Sequence, residues 1–171
     1  MARRRMLAVL MSAGLAFTLL QGGSAQATAI GNEGCTPGYW KQVQHFDSWQ
    51  EYKPTDTLYV FFQNKANPKA SVFDGTSPDV AAYGSLTAVQ GLQLKGGPSV
   101  TGATEILLRA SVAAFLNAAT EDLGYPYRRF NDNQFGIWTQ VHNALVSGDR
   151  AQILALATTL DTANNLSCPL S

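Results

Sequence analysis

The chain has 171 residues, with twelve basic and twelve acidic side chains and a formal charge of zero. Three of the basic residues, Arg3, Arg4 and Arg5, stand at the extreme N-terminus, so the remainder is mildly acidic. That balance excludes the electrostatic attraction on which nucleic-acid and anionic-membrane partners depend, and the length suits one ordinary domain.

Residues 1–27 have the pattern of a secretory signal peptide. The basic start is followed by an apolar run over residues 6–20, and Ala25-Gln26-Ala27 offers small side chains at the positions a signal peptidase reads. The run is too short for a membrane anchor. Residues 28–171 are then the exported domain, with no membrane span expected in the mature chain. Its two cysteines, Cys35 and Cys168, lie near its two ends. Export to an oxidising compartment makes a disulfide the default, and two unrelated free thiols the alternative. A bridge closing so long a loop is worth roughly 5 kcal/mol in the chain-entropy model.

In chain order, Thr36 and Pro37 read as N-cap and first residue of a helix over residues 37–51. Tyr39, Val43, Phe46 and Gln50 share one face, with Trp40 and Trp49 beside it. Lys53-Pro54 ends it. Residues 56–63, DTLYVFFQ, have strand-like composition but no partner strand is evident elsewhere, so a short helix is expected. Residues 64–79 carry the turn signals Asn67-Pro68, Asp74-Gly75 and Ser77-Pro78, and residues 80–83 suit one helical turn. Ser85 is expected to cap a helix over residues 85–94, with Leu86, Val89 and Leu92 or Leu94 inward. Gly96-Gly97-Pro98 stops it, and a short flexible linker follows.

Residues 104–120, TEILLRASVAAFLNAAT, are apolar almost all the way round. A helix without a polar face belongs inside a protein, and this one is too short to cross a membrane and carries Arg109 at its centre. Residues 125–130 form an aromatic and basic loop. Asn131 or Asn133 then caps a helix whose inward stripe is Phe135, Trp138, Val141 or His142, and Leu145. Gly148 closes it. Asp149 caps the last helix, where Gln152 completes a capping-box pattern and Ile153, Leu156, Leu160 and Ala163 recur at helical spacing. The last two helices therefore form an αα-hairpin.

Cys35-Thr36-Pro37-Gly38-Tyr39-Trp40-Lys41, with His45 and Trp49 behind it, resembles the CTPGYWK-type motif of secreted bacterial proteins. Many of those have an Asn-His pair where Gln44-His45 stands here. Residues 107–120 are similar to the LLR-AVAALLNA segment of the same proteins. Residues 148–170 are similar to their closing segment, which ends in Asn-Asn and Cys-Pro. The resemblance covers nearly the whole mature chain. It implies an exported helical module, alone or attached to surface or extracellular proteins. It supports the Cys35–Cys168 bridge and carries over no catalytic residue.

Few constellations point to chemistry. His45 and His142, with a carboxylate such as Asp47, would make a zinc site only if the first and fourth helices touch; ordinary hydrogen bonding of both histidines is the alternative. Asn131, Asp132 and Asn133, or Asp74 and Asp79, do not fit a calcium loop and suit capping and turns better. There is no nucleophile elbow and no phosphate loop. Asp47 and Glu51 could share a helix face, while Glu121 and Asp122 diverge; neither is a pair across a cleft. Aromatic binding is the most open option. Tyr39, Trp40 and Trp49 form one group, and Tyr125, Tyr127 and Phe130 with Arg128 and Arg129 the other; for Trp40 and Trp138 the core is the competing role. Arg109 is expected to pair with Glu105, or else to floor an anion pocket.

The expected fold is all-α: a single domain of five to six helices around residues 104–120, closed by one disulfide. The candidate ligand-contacting residues are Tyr39, Trp40, His45, Trp49, Arg109, Tyr125, Tyr127 and Arg128. No catalytic residue, metal ligand or cofactor is assigned. The expected function is a non-catalytic structural or binding module, secreted or at the cell surface, with an extracellular protein or glycan as partner. The alternative is a secreted hydrolase with an unrecognised active site.

Overall fold

A computed structural model describes residues 31–130 and 136–170. The expected signal peptide, the expected caps Asn131 or Asn133 with Asp132 between them, and Phe135 lie outside the described residues. The helical elements are α1 (Pro37–Trp40), α2 (Leu58–Phe61), α3 (Pro78–Ala81), α4 (Ala88–Leu92), α5 (Val100–Ala119), α6 (Ile137–Ser147) and α7 (Arg150–Asn164). Two 3-10 turns, Val43–Ser48 and Ala82–Ser85, and two strands, β1 (Gln63–Asn64) and β2 (Asn67–Ser71), complete them. The fold is thus mostly helical but not all-α, and it has more helical segments than five to six.

The long helix α5 is the axis of the molecule. Leu107, Leu108, Val112, Phe115 and Leu116 are fully buried, and α7 packs along it more extensively than any other element. It begins at Val100, where a flexible linker was expected. Ser99 supplies the cap, its hydroxyl accepting from Gly102 N at 3.0 Å. Gly102 is required by packing: a Cβ there would lie 2.4 Å from Gly97 Cα. Val, Thr and Gly are poor helix formers, so tertiary contact sets this boundary.

The helix expected over residues 37–51 is broken. Trp40 and Trp49 are nine apart, about half a turn out of phase on one helix. The break after α1 lets both indoles reach the core, and Trp49 Nε1 donates to Trp40 O at 3.2 Å across it. Val43, expected inward, is 76 % exposed. The break ends at Glu51, whose φ of 63° is the one left-handed value at a non-glycine among the described residues.

Within residues 56–63 the expected short helix is confined to Leu58–Phe61, α2, capped by Thr57, and Gln63 already belongs to β1. The partner strand is supplied where turns were expected. β1 and β2 pair antiparallel, with Gln63 opposite Ser71 and Asn64 opposite Asn67. Asn64 Oδ1 accepts from Ala66 N at 2.9 Å and so closes the turn, an Asx geometry that competes with longer regular structure. Thr87, not Ser85, caps α4, in a capping box with Gln90; Ser85 bonds back to Ala82 O.

Gly148 ends α6 in the left-handed conformation, and Asp149 caps α7 by accepting from Ala151 N at 2.7 Å. The αα-hairpin is formed as expected. Its capping box is altered: Gln152 Nε2 donates to Asp149 Oδ2 at 3.1 Å, while Asp149 N is satisfied by Ser147 Oγ. Cys35 and Cys168 are joined in a disulfide, 133 residues apart. Beside it Gly34 N donates to Ser167 O at 3.1 Å. A Cβ on Gly34 would stand 2.1 Å from Ala163 O.

Alanine stabilises an unconstrained helical position by about 1 kcal/mol over glycine. Gly102→Ala should do the reverse here, because its methyl would collide with the backbone at Gly97. Thermal melting checks the sign: a higher Tm than wild type would show that this contact does not constrain α5.

Candidate functional site

The end of α5 carries a buried polar cluster. Asn117 is fully buried, and its amide has every bonding position filled. Oδ1 accepts from Cys35 N and from Trp40 Nε1, both at 2.9 Å. Nδ2 donates to Cys35 O and to Asn164 Oδ1, again at 2.9 Å. Asn164 in turn donates to Ala110 O at 2.9 Å and accepts from the Tyr125 hydroxyl at 2.8 Å. Burial pushes the Tyr125 phenol above its ordinary pKa, so it remains a donor. The cluster ties the disulfide segment, α1, α5, α7 and the loop after α5 to one another.

This network accounts for most of the motif at residues 35–41. Thr36 Oγ1 accepts from Tyr39 N at 3.1 Å, and Pro37 starts α1. Tyr39 is buried against Trp40, with its hydroxyl donating to Leu170 O at 3.0 Å. Trp40 has no exposed surface, and Trp49 is buried beside it. His45 is half-buried and stacks on Tyr39 with ring centroids 3.9 Å apart. Of the eight candidate ligand-contacting residues, these four line one packed corner of the fold.

Arg109 lies elsewhere. Its Nη1 donates to Leu94 O at 2.7 Å and Lys95 O at 3.3 Å, which holds the chain past the end of α4. The expected partner Glu105 is used differently: it accepts from the Tyr83 hydroxyl and from Gly96 N, both at 2.9 Å. Burial first, and the Glu105 carboxylate second, push Tyr83 up to about 12. Arg109 lines a small cleft of about 140 Å³ with Asp161, Thr158 and Thr162.

The remaining three candidates, Tyr125, Tyr127 and Arg128, are brought together. They line a cleft of about 270 Å³ at the C-terminal end of α5, with Thr120, Glu121, Glu51 and Arg129. Tyr125 is anchored from below by Asn164, and Tyr127 packs edge-on against it with ring centroids 6.0 Å apart. Tyr127 is half-buried and Arg128 exposed. On the facing wall Arg129 grips Glu51 through both guanidinium nitrogens, at 2.8 and 3.0 Å, and reaches the Tyr52 hydroxyl at 2.8 Å. Lys65 adds a second ion pair to Glu51. Sequence reasoning missed Glu51 and Arg129 as a pair, and it gave neither Asn117 nor Asn164 a buried bonding role. An asparagine in the middle of an otherwise apolar helix was the available signal for Asn117, since buried amides need partners.

His45 and His142 belong to different packing groups. His142 stacks on Trp138, centroids 5.3 Å apart, and its Nδ1 lies 3.3 Å from Val72 O. Among the described residues no group of three or more His, Cys, Asp or Glu is placed to hold a metal ion. Compared with known proteins, the chain matches no family model, no curated protein and no solved structure.

Asn117→Ala leaves two donors, Cys35 N and Trp40 Nε1, and one acceptor, Cys35 O, without their partner in the core, while Asn164 Oδ1 keeps the Tyr125 hydroxyl. At about 1 kcal/mol or more for each such group, the variant should lose about 3 kcal/mol or more of stability by chemical denaturation. A loss under about 1 kcal/mol would show that the network is not what holds the ends of the chain.

The Arg129 guanidinium first, and Lys65 second, hold the Glu51 carboxylate at about 2, down from 4.5. The folded-state value is depressed, so the clasp stabilises fully above the unfolded value near 4.5 and fades as pH falls toward 2. Glu51→Gln should melt lower than wild type at neutral pH, by a modest amount because the pair is partly exposed. The difference should close between pH 4.5 and pH 2; a constant gap would mean the charge is irrelevant.

Proposed function

We propose that the chain is an exported, non-catalytic structural or binding module acting outside the cell or at its surface, with the CTPGYWK-type secreted proteins as its kind. The observation that carries this is the Cys35–Cys168 disulfide, which covalently joins the two ends of the domain. Such bridges persist in oxidising compartments. It accords with the basic and apolar N-terminal segment, and among the described residues no helix is long and apolar enough to cross a membrane. The motif residues are consumed in packing, with Trp40 and Cys35 sealed beneath Asn117. A motif so used favours a scaffold over a catalytic centre.

Binding then falls to the cleft of Tyr125, Tyr127 and Arg128, where Tyr127 and Arg128 remain accessible above the buried Tyr125. Hydrolysis there has less support. A general acid needs a raised pKa, whereas Glu51 on this cleft is clasped by Arg129 and held near 2.

Thiol titration of the exported chain, unfolded without reductant, tests the reading. No reactive thiol is expected, and the N-terminus should be Thr28. Two titrating thiols, or retention of residues 1–27 in the extracellular fraction, would overturn export. Reduction should lower stability by about 2–5 kcal/mol, the usual range for a native bridge in a small secreted domain.

A further inference from the structure

The cleft at the end of α5 combines three features. The first is a fixed aromatic face. Tyr127 leans on Tyr125, and Tyr125 is held by its hydroxyl to the buried Asn164. The ring is therefore presented at little entropic cost, as a stacking surface must be.

The second is a pair of free planar groups of opposite sign. Arg128 and Glu121 are both exposed and both line the cleft. Among the described residues neither side chain makes a hydrogen bond or an ion pair. A guanidinium offers a fork of donors, and a carboxylate a fork of acceptors.

The third is charge balance. Arg129 is already spent on Glu51, so among the described residues the cleft carries one free cation, Arg128, and one free anion, Glu121. The carbonyl end of α5 also borders it, which disfavours an anionic ligand. Phosphate, sulfate and acidic peptides are poorly matched. The volume of about 270 Å³ falls just under the roughly 300 Å³ at which sites for drug-sized molecules begin.

The geometry points to a neutral glycan as the ligand, one terminal sugar ring entering the cleft. The C–H face of the ring stacks on Tyr127, and its vicinal hydroxyls bridge Arg128 as donor and Glu121 as acceptor. The rest of the glycan extends into solvent. This inference rests on the binding-module reading and names the ligand class for it.

The test uses the mature, oxidised protein on an array of immobilised neutral and acidic oligosaccharides, alongside pull-down from extracellular extract. Wild type should bind neutral members. Arg128→Ala and Glu121→Ala should each weaken binding at least tenfold, with unchanged Tm because both side chains are exposed. Tyr127→Leu should abolish binding, and Tyr127→Phe, which keeps the stacking ring, should retain most of it. Neutral-glycan binding untouched by Arg128→Ala and Glu121→Ala would overturn the cleft as the site. Silence on the array, or binding confined to acidic glycans, would overturn the neutral-glycan ligand. If pull-down then still retains a protein in an Arg128-dependent way, the module reading stands and only the glycan falls. If wild type binds nothing in either arm, the binding function itself fails.

Discussion

A single amide at the end of α5 determines what can sit around it. Asn117 has two acceptor positions and two donor hydrogens, and each meets a partner at 2.9 Å. In a low-dielectric interior such bonds are strong, and any one left unmade is costly. Both backbone groups of Cys35 belong to this set. The disulfide and the amide therefore act on the same residue, one covalently and one by direction. The bridge limits how far the chain ends can separate; the amide decides the orientation in which Cys35 arrives. Trp40 enters the core where its indole N–H can reach the same oxygen.

From that point the network spreads outward in one direction. Asn164 joins α7 to α5 at Ala110, and Tyr125 joins the following loop to Asn164. The loop at residues 125–130 is consequently supported by the core through its first aromatic ring. Tyr127 then inherits its position from Tyr125. A surface that discriminates between ligands needs such support, since a side chain free to swing would spend binding energy on being ordered. The same residues that close the fold also stiffen the cleft.

The parts of the fold that follow from local pattern were legible in the sequence. The interior of α5 is one, because a run of Leu, Ala, Val and Phe leaves no polar face. The αα-hairpin is another, since Gly148 and Asp149 stop one helix and start the next by local chemistry. What escaped was set by contacts distant in sequence. The start of α5 depends on Gly97 passing against Gly102. The break after Trp40 depends on two indoles competing for one core. The β1–β2 hairpin is short enough that its Asx turn signals outweigh any strand pattern. The cleft draws on Glu51, on residues 118–121 and on residues 125–129, so periodicity along any one segment was blind to it. Arg109 and Glu105 show the same limit: their spacing suits a pair, yet each finds a partner in the chain that follows or precedes α4.

Glu51 links the two halves of this picture. Its left-handed backbone costs of order 1 kcal/mol or more for a residue with a Cβ. Such a conformation persists where its surroundings over-determine it, and here they do: Arg129 holds both carboxylate oxygens and Lys65 reaches in from the β1–β2 turn. The clasp turns Arg129 inward, over Tyr52 and Phe130, with its charge centre 5.4 Å and 5.7 Å from the two rings. Arg128, one residue earlier, is left in solvent at the rim. One arginine is thereby committed to structure while its neighbour stays exposed. The strained Glu51, its partner Arg129 and the exposed Arg128 thus lie together on the lining of one cleft.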